Sequence, residues 1–388
     1  MTILKYLVII VLSCFLLTTA QAEQSQSQIE QVRLITAQQL AQQPTNRLLR
    51  FRYAKASYQL ANQDVAKYHL RVMMRTSQSE KELKQLTAAY ATVTADSLWS
   101  FGMNLSILPS TNINKVSSNK FFDTSSGRFY IGDGGVEKSG AGIKIGSRLS
   151  YQSILPNSVF LTSGFEINRS QYPASRLNNF DASVSLKFEK RYVAGVRQVT
   201  PYIQRHLYDA SPTTNADSFR YGIKFSNEHY LTSNSSVTGT FSAEYREHDN
   251  LSNLNGDFYN TSLSYQGELS KATELALNIR LTHNYPKTEH LKYRGVSLEG
   301  VLTRRIGALG IAGINSNLGM RQYQGEFPFL WKTREDRSAS IGTSFKALKV
   351  EIFDVSPKLS CQIQQNWSNV ALYDFKSTDC AIVFEKNF

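Results

Sequence analysis

Trp99-Ser100-Phe101-Gly102-Met103-Asn104-Leu105-Ser106-Ile107 places an apolar group on every odd position and a small or polar one on every even position. A period of two belongs to a strand with one greasy face and one wet face. The pattern recurs downstream: Ala141, Ile143, Ile145, Leu149 and Tyr151 alternate with Gly142, Lys144, Gly146 and Arg148. Phe180, Ala182, Val184, Leu186 and Phe188 alternate with Asp181, Ser183, Ser185, Lys187 and Glu189. Working outward from these, fourteen candidate strands start near residues 98, 140, 158, 179, 197, 217, 236, 257, 273, 291, 309, 335, 356 and 375. Connections alternate between tight ones, such as Pro156-Asn157, and long ones, Pro109–Ser139 and Gln322–Lys332. Short turns at one end and longer loops at the other are how an outer-membrane barrel is wired.

Composition narrows the alternatives. The mean hydropathy of −0.32 excludes a helical membrane bundle, because each spanning helix needs roughly 20 mostly apolar residues in a row. With 22 Gly, 9 Pro, 20 Tyr and 21 Phe the chain is neither collagenous nor disordered. A soluble β-sandwich would keep its inner face dry over strands of about 5–6 residues. Here the second face carries Lys, Glu, Arg, Gly and Asn over much longer runs, which suits a wet lumen. Aromatics near candidate strand ends (Trp99, Tyr151, Tyr192, Tyr245, Trp331, Trp367) match the girdles of a membrane barrel. The expected fold is mainly β: a fourteen-stranded antiparallel transmembrane β-barrel at residues 97–388.

Residues 1–22 have the form of a signal peptide. Lys5 supplies the positive charge, Tyr6–Leu17 the apolar core and Thr19-Ala20-Gln21-Ala22 a small-residue cleavage site before Glu23. Val11-Leu12-Ser13 is a poor acylation context for Cys14. Residues 23–96 are expected to be helical, rich in Gln, Ala, Leu, Lys and Arg, without Gly. Leu83, Leu86, Tyr90 and Val93 share one helix face. Phe51, Ala54, Tyr58 and then Val65, Tyr68, Val72 form two further stripes about a turn at Asn62-Gln63-Asp64. Phe51-x-x-Ala54-x-x-x-Tyr58 resembles the first helix of a tetratricopeptide unit, with Ala66 one residue early for that pattern.

Four further stretches resemble the surface lipoprotein assembly modifier (Slam) family. Pro109-Ser110-Thr111-Asn112-Ile113-Asn114 is similar to that family's Asn-x-Asn segment. Thr333-Arg334-Glu335-Asp336 with Ser356-Pro357-Lys358-Leu359 forms the second. Ser368-Asn369-Val370-Ala371-Leu372-Tyr373-Asp374 and the ending Phe384-Glu385-Lys386-Asn387-Phe388 complete the set. Order and spacing fit over roughly residues 45–388. The resemblance implies a periplasmic helical-repeat domain before a fourteen-stranded barrel, and a role in moving specific lipoproteins, or related secreted proteins, to the cell surface. It marks Pro109, Asn112, Asn114, Arg334, Asp336, Pro357, Ser368, Asn369 and Tyr373 as family-motif positions. Longer members carry several helical repeats, whereas this chain has room for one or two.

Other chemistry is expected to be absent. His69, His206, His229, His248, His283 and His290 show no metal-ligand spacing. Glu247-His248-Asp249 is one acid–His cluster in what reads as an external loop. No enzyme activity and no cofactor or metal are expected. The net charge of +12 suits anionic headgroups or an acidic passenger rather than nucleic acid. Expected partners are outer-membrane lipid, a surface lipoprotein or secreted substrate, and the barrel-assembly machinery, for which Phe384 and Phe388 form the insertion signal. The competing function is a passive, porin-like channel for small solutes. Even-numbered Arg334 and Asp336 are expected in the lumen if Ala339, Ile341, Thr343 and Phe345 face lipid. Cys361 and Cys380 flank a hairpin centred near residue 370, so a disulfide there is an open alternative to two lipid-facing thiols. Such a bond would stiffen the wall beside the meeting of first and last strands, a plausible lateral exit for a passenger.

Overall fold

A computed structural model describes residues 26–95, 98–124, 127–132, 135–173, 177–209, 216–352 and 354–388. The leader and its cleavage site lie outside the described residues. The chain divides into two compact units, one ending at Leu98 and one running from Trp99 to Phe388.

In the first unit, helix α1 spans residues 26–42, followed by α2 (Arg47–Gln59), α3 (Gln63–Arg75) and α4 (Glu80–Ala95). Asn46 caps α2 by accepting from the Leu49 N–H. Leu83, Leu86, Tyr90 and Val93 are buried along α4 as their spacing requires. Helix α3 differs from expectation. Its inward face is Ala66, Leu70, Met73 and Met74, while Tyr68 is exposed. Two stripes compete on that helix. The one with Ala66, fully buried like the equally small Ala54 of the neighbouring α2, buries two flexible methionines. The turn also sits earlier than expected, at Leu60–Asn62 with Ala61 at φ 57°, so Gln63 and Asp64 open α3. His69 stands edge-on to Tyr53 and Tyr68, and its Nδ1 faces the Arg50 guanidinium at 3.2 Å. Burial, reinforced by that guanidinium, pushes its pKa down to about 4.

The second unit opens with β1 (Trp99–Ser110), whose following loop holds a small hairpin, β2 (Phe121–Thr124) and β3 (Gly127–Tyr130). Then come β4 (Gly140–Leu155), β5 (Val159–Gln171), β6 (Asn179–Tyr192), β7 (Gly195–Tyr208), β8 (Ser218–Thr232) and β9 (Ser235–His248). The remainder is β10 (Gly256–Ser270), β11 (Thr273–Pro286), β12 (Tyr293–Ile306), β13 (Gly310–Glu326), β14 (Thr333–Ala347), β15 (Lys358–Ser368) and β16 (Phe375–Asn387). β1 and β4 to β16 form one closed antiparallel barrel of fourteen strands, β1 closing onto β16. Closure leaves no unpaired edge, the condition for crossing a bilayer with strands.

Every strand start expected from alternation falls within two residues of the observed one. The loop expected at Gln322–Lys332 is shorter, because β13 continues to Glu326 through an irregular register with β14. Glu247 and His248 end β9 rather than lying in a loop, and Trp331 lies in the loop before β14 rather than on a strand end. Outward positions are apolar: Phe101, Met103, Leu105 and Ile107 on β1, and Leu298, Leu318, Ile341 and Ile363 farther round, are all exposed. Side chains such as these cost free energy in water but not against lipid tails. The tight connections lie at one end, for example Val193–Ala194 and Ser233–Asn234. Residues 348–357 are the long exception at that end. They are tied by an Ile352–Val355 bridge and by an ion pair from Asp354 to Lys386, a charge that interrupts the outward pattern of β16 at its short-turn end.

Candidate functional site

Two groups of the residues that the family resemblance marks converge at the long-loop end of the barrel. The first spans the seam between β1 and β16. This ladder is the shortest in the barrel: it pairs Gly102–Ile107 with Asn387–Ile382, skips Leu108 and Pro109, and resumes at Ser110 opposite Asp379. Pro109 has no N–H to contribute. On its other edge β1 pairs with β4 unbroken from Trp99 to Ser110.

Side chains make up what the ladder lacks. The Lys115 ammonium pairs with the Asp379 carboxylate and donates to Ser377 Oγ at 2.8 Å. Ser110 Oγ donates to Asp379 Oδ1 at 2.6 Å. Asn112, fully buried, donates through Nδ2 to the carbonyls of Val116 (2.8 Å) and Lys376 (3.2 Å). Thr111 N–H donates to the Thr378 carbonyl at 3.0 Å. Asn114 holds the far arm of the same loop, donating to Val136 O at 2.7 Å and accepting from Lys138 N at 2.9 Å. At the opposite end of the seam, Phe388 N donates to Phe101 O at 2.7 Å and the two rings stack at 5.7 Å. Phe384 lies opposite Leu105.

The second group ties the last two long loops together. Arg334 Nε donates to Asp336 Oδ1 at 2.9 Å in a two-pronged ion pair, with both residues buried at 8% and 3% exposure. The guanidinium carbon lies 3.2 Å from the centroid of Tyr373 and 4.4 Å from that of Tyr323. Ion pairing, hydrogen bonding and cation–π contact together offset the cost of burying the charge. Meanwhile Ile341 on the other parity of β14 is 61% exposed, so the charged pair faces the lumen. Asn369 donates to Thr333 O and accepts from Glu335 N, both at 2.8 Å. Ser368 Oγ accepts from Val370 N at 3.1 Å. The two groups touch where Ser117 N donates to Leu372 O at 3.4 Å.

Pro357 lies apart from both, at the short-turn end before β15, its carbonyl accepting from Ala347 N. Cys361 and Cys380 are direct partners on β15 and β16 and are joined by a disulfide. Sequence reasoning missed Ser110, Lys115, Ser377 and Asp379 as a unit. One signal was available: Asp379 has the parity opposite to Phe384 and Phe388, so an inward acid on the last strand called for a cation.

The lumen beside these groups holds a cavity of 370 Å³ lined by Ser297, Asn315, Asn317, Ser338, Gln362 and Gln364 among others. The opposite wall is charged: Asp181 pairs with His206, Glu189 with Arg191, and Glu244 with Arg246, while Tyr202 donates to Glu244 at 2.8 Å.

Among solved structures the barrel is similar to a mutant of TodX, a monoaromatic hydrocarbon channel, at 9% identity and a TM-score of 0.40, covering 75% of this chain and 90% of that one. It is similar to a loop-deleted OmpT of Vibrio cholerae at 8% identity and a TM-score of 0.38, covering 75% and 99%. OccAB4 of Acinetobacter baumannii gives 7% identity and 0.39, over 75% and 99%. No curated protein matches the chain. The surface lipoprotein assembly modifier model matches residues 99–388, the whole barrel. The chain therefore belongs to the surface lipoprotein assembly modifier family, a family of outer-membrane assembly barrels rather than of enzymes.

Proposed function

We propose that this protein is an outer-membrane translocon that carries a specific lipoprotein, or a related secreted protein, from the periplasm to the cell surface. The family match along the entire barrel carries this reading. The helical unit is assigned to the periplasm as a platform that receives the passenger, and Phe384 with Phe388 as the signal read by the barrel-assembly machinery. The motif residues Asn112, Asn114, Arg334, Asp336, Asn369 and Tyr373 hold the long loops in order around the lumen and seam.

The test is co-expression with a lipoprotein encoded beside this gene. Protease shaving of intact cells should find the passenger on the surface only when this protein is present. Deleting residues 23–90 should leave an inserted barrel, since the strands close without the helices, and should lower passenger display. If display is unaffected by removing the whole protein while purified barrels pass small sugars in a liposome-swelling assay, the passive-channel reading replaces this one.

A further inference from the structure

The outward face of the barrel carries three basic side chains at one level on alternate strands: Arg294 on β12, Arg337 on β14 and Lys376 on β16. All three are exposed, and among the described residues none is in an ion pair. Their common level follows from register. Arg294 lies opposite Gln322, Arg337 opposite Met320 and Trp367, and Lys376 opposite Gln365. From β12 to β16 the set therefore steps down the pairing coordinate by about one residue per strand. That is the stagger by which tilted strands advance around a barrel of this kind. At about 4.8 Å per strand, neighbouring charges stand roughly 10 Å apart along the wall.

Their surroundings are those of a membrane interface. Below them lies an apolar band, with Val296, Leu298, Leu318, Ile341 and Ile363 all exposed. Trp367, half exposed, sits in the same row as Arg337. Glu335 stands one outward position above Arg337, toward the loops, and does not neutralise the row. The opposite wall treats its outward arginines differently. Arg169 is paired with Asp209 and Arg205 with Asp249, so at its long-loop end that wall cancels its own charge. The other outward strand cations without an ion pair among the described residues, Lys190, Arg197 and Arg304, stand at the short-turn end of the barrel, away from this row.

We propose that Arg294, Arg337 and Lys376, with Trp367, form a docking surface for the headgroup of a bisphosphorylated glycolipid in the outer leaflet. A single small phosphate would reach one cation. A sugar headgroup with a phosphate at each end spans charges spaced about 10 Å apart, while its acyl chains lie along the apolar band below. The surface belongs to the same stretch of wall as the last strands, the disulfide and the seam, so a bound lipid would hold that wall in its closed register.

The experiment is native mass spectrometry of the full-length protein from detergent micelles. The probes are bisphosphoryl lipid A, monophosphoryl lipid A, phosphatidylglycerol and inorganic phosphate. Wild type should retain bisphosphoryl lipid A in preference to the other lipids. R294Q/R337Q/K376Q should retain it at least about tenfold less, whereas R169Q/R205Q on the far wall should match wild type. Because the triple variant could fold poorly, each variant is checked by its heat-dependent gel mobility, and the charge-keeping R294K/R337K should retain most of the binding. Equal retention by the triple variant, or no preference for two phosphates over phosphatidylglycerol, overturns the proposal. Binding of inorganic phosphate alone at the same residues would also overturn it, by assigning them to a free anion.

Discussion

The two halves of the barrel wall are built on different principles. From β6 to β9 the lumenal side is braced by charge: Asp181 with His206, Glu189 with Arg191 and Gln198, Glu244 with Arg246 and Tyr202. From β14 through β16 and β1 to β4 many of the corresponding positions are small or neutral, among them Ser338, Ser340, Ser360, Gln362, Ser106, Gly142 and Gly146, and the lumenal charges Lys144, Arg148, Lys346, Lys358 and Glu385 are in no ion pair among the described residues. That half also contains the shortest ladder, at the seam. Its order comes instead from discrete fastenings at its margins: the Arg334–Asp336 pair, the disulfide, the Tyr172 contact over Gly142 and the Lys115–Asp379 clasp. A wall braced along its length is stiff throughout. A wall fastened at points has fastenings that can be undone one at a time; of these, the Arg334–Asp336 pair is built from residues that the family resemblance marks.

The largest effect is expected from Asp336→Ala. It leaves the Arg334 guanidinium buried between Tyr373 and Tyr323 without a counter-charge, and removing one partner of a buried pair costs about 3–5 kcal/mol. The midpoint of urea unfolding in detergent should fall accordingly. Asp181→Asn on the braced wall should cost less, since an amide still hydrogen-bonds His206 and both side chains are less deeply buried than Arg334 and Asp336. Equal losses at the two sites would mean the walls are braced alike.

Next comes the disulfide. Cys361 and Cys380 are 19 residues apart, and cross-linking a loop of that size stabilises by roughly 3 kcal/mol. The double variant Cys361→Ser/Cys380→Ser should lower the urea midpoint. Non-reducing peptide mapping should find the two peptides linked in wild type. Full alkylation of both thiols without prior reduction would remove this fastening from the comparison.

How much of this was legible beforehand depended on range. Alternation is a local property, so the strand starts, the outward face and the lumenal placement of Arg334 and Asp336 were readable two residues at a time. Cys361 opposite Cys380 was readable from the symmetry of one hairpin. The clasp was not, because Lys115 and Asp379 are 264 positions apart and meet only on closure of the barrel. Nor was the β2–β3 hairpin, too short to show a period, although Phe129 stacks on Phe329 of another loop. The inward face of α3 was misjudged because two stripes satisfy helical spacing, and only packing within the helical unit chooses between them.

Two glycines sharpen the contrast at moderate cost. A Cβ on Gly142, beside the seam, would sit 2.3 Å from the Tyr172 ring. Gly142→Ala should therefore destabilise by about 1–3 kcal/mol through overpacking. A Cβ on Gly239 in β9 would meet nothing within 4 Å. Gly239→Ala should be neutral or slightly stabilising, because glycine in a strand interior loses more entropy on folding. If Gly142→Ala is harmless, Tyr172 is free to swing away and is no fastening.

The smallest thermodynamic effect is expected at the clasp, where it is also the most localised. Lys115 and Asp379 are partly exposed, and ion pairs of that kind are worth about 0–1 kcal/mol. Asp379 has more to lose than Lys115, because it also accepts from Ser110 and Ser377. Asp379→Asn should therefore exceed Lys115→Gln. The double variant should add little to Asp379→Asn alone, since both changes break one contact. Global unfolding will hardly register this, whereas amide hydrogen exchange will. Backbone protection at the loop end of β1 and at the facing residues 377–382 should drop, while the seam near Gly102 and Asn387, held by the Phe101–Phe388 pairing, should keep its protection. On the far wall, Glu189→Gln should leave the adjoining ladder between β6 and β7 protected, because backbone pairing runs without a gap from Phe188–Val199 to Tyr192–Gly195 around it. Loss of protection spreading along the whole seam would show that the clasp, and not the ladder, keeps the barrel closed there.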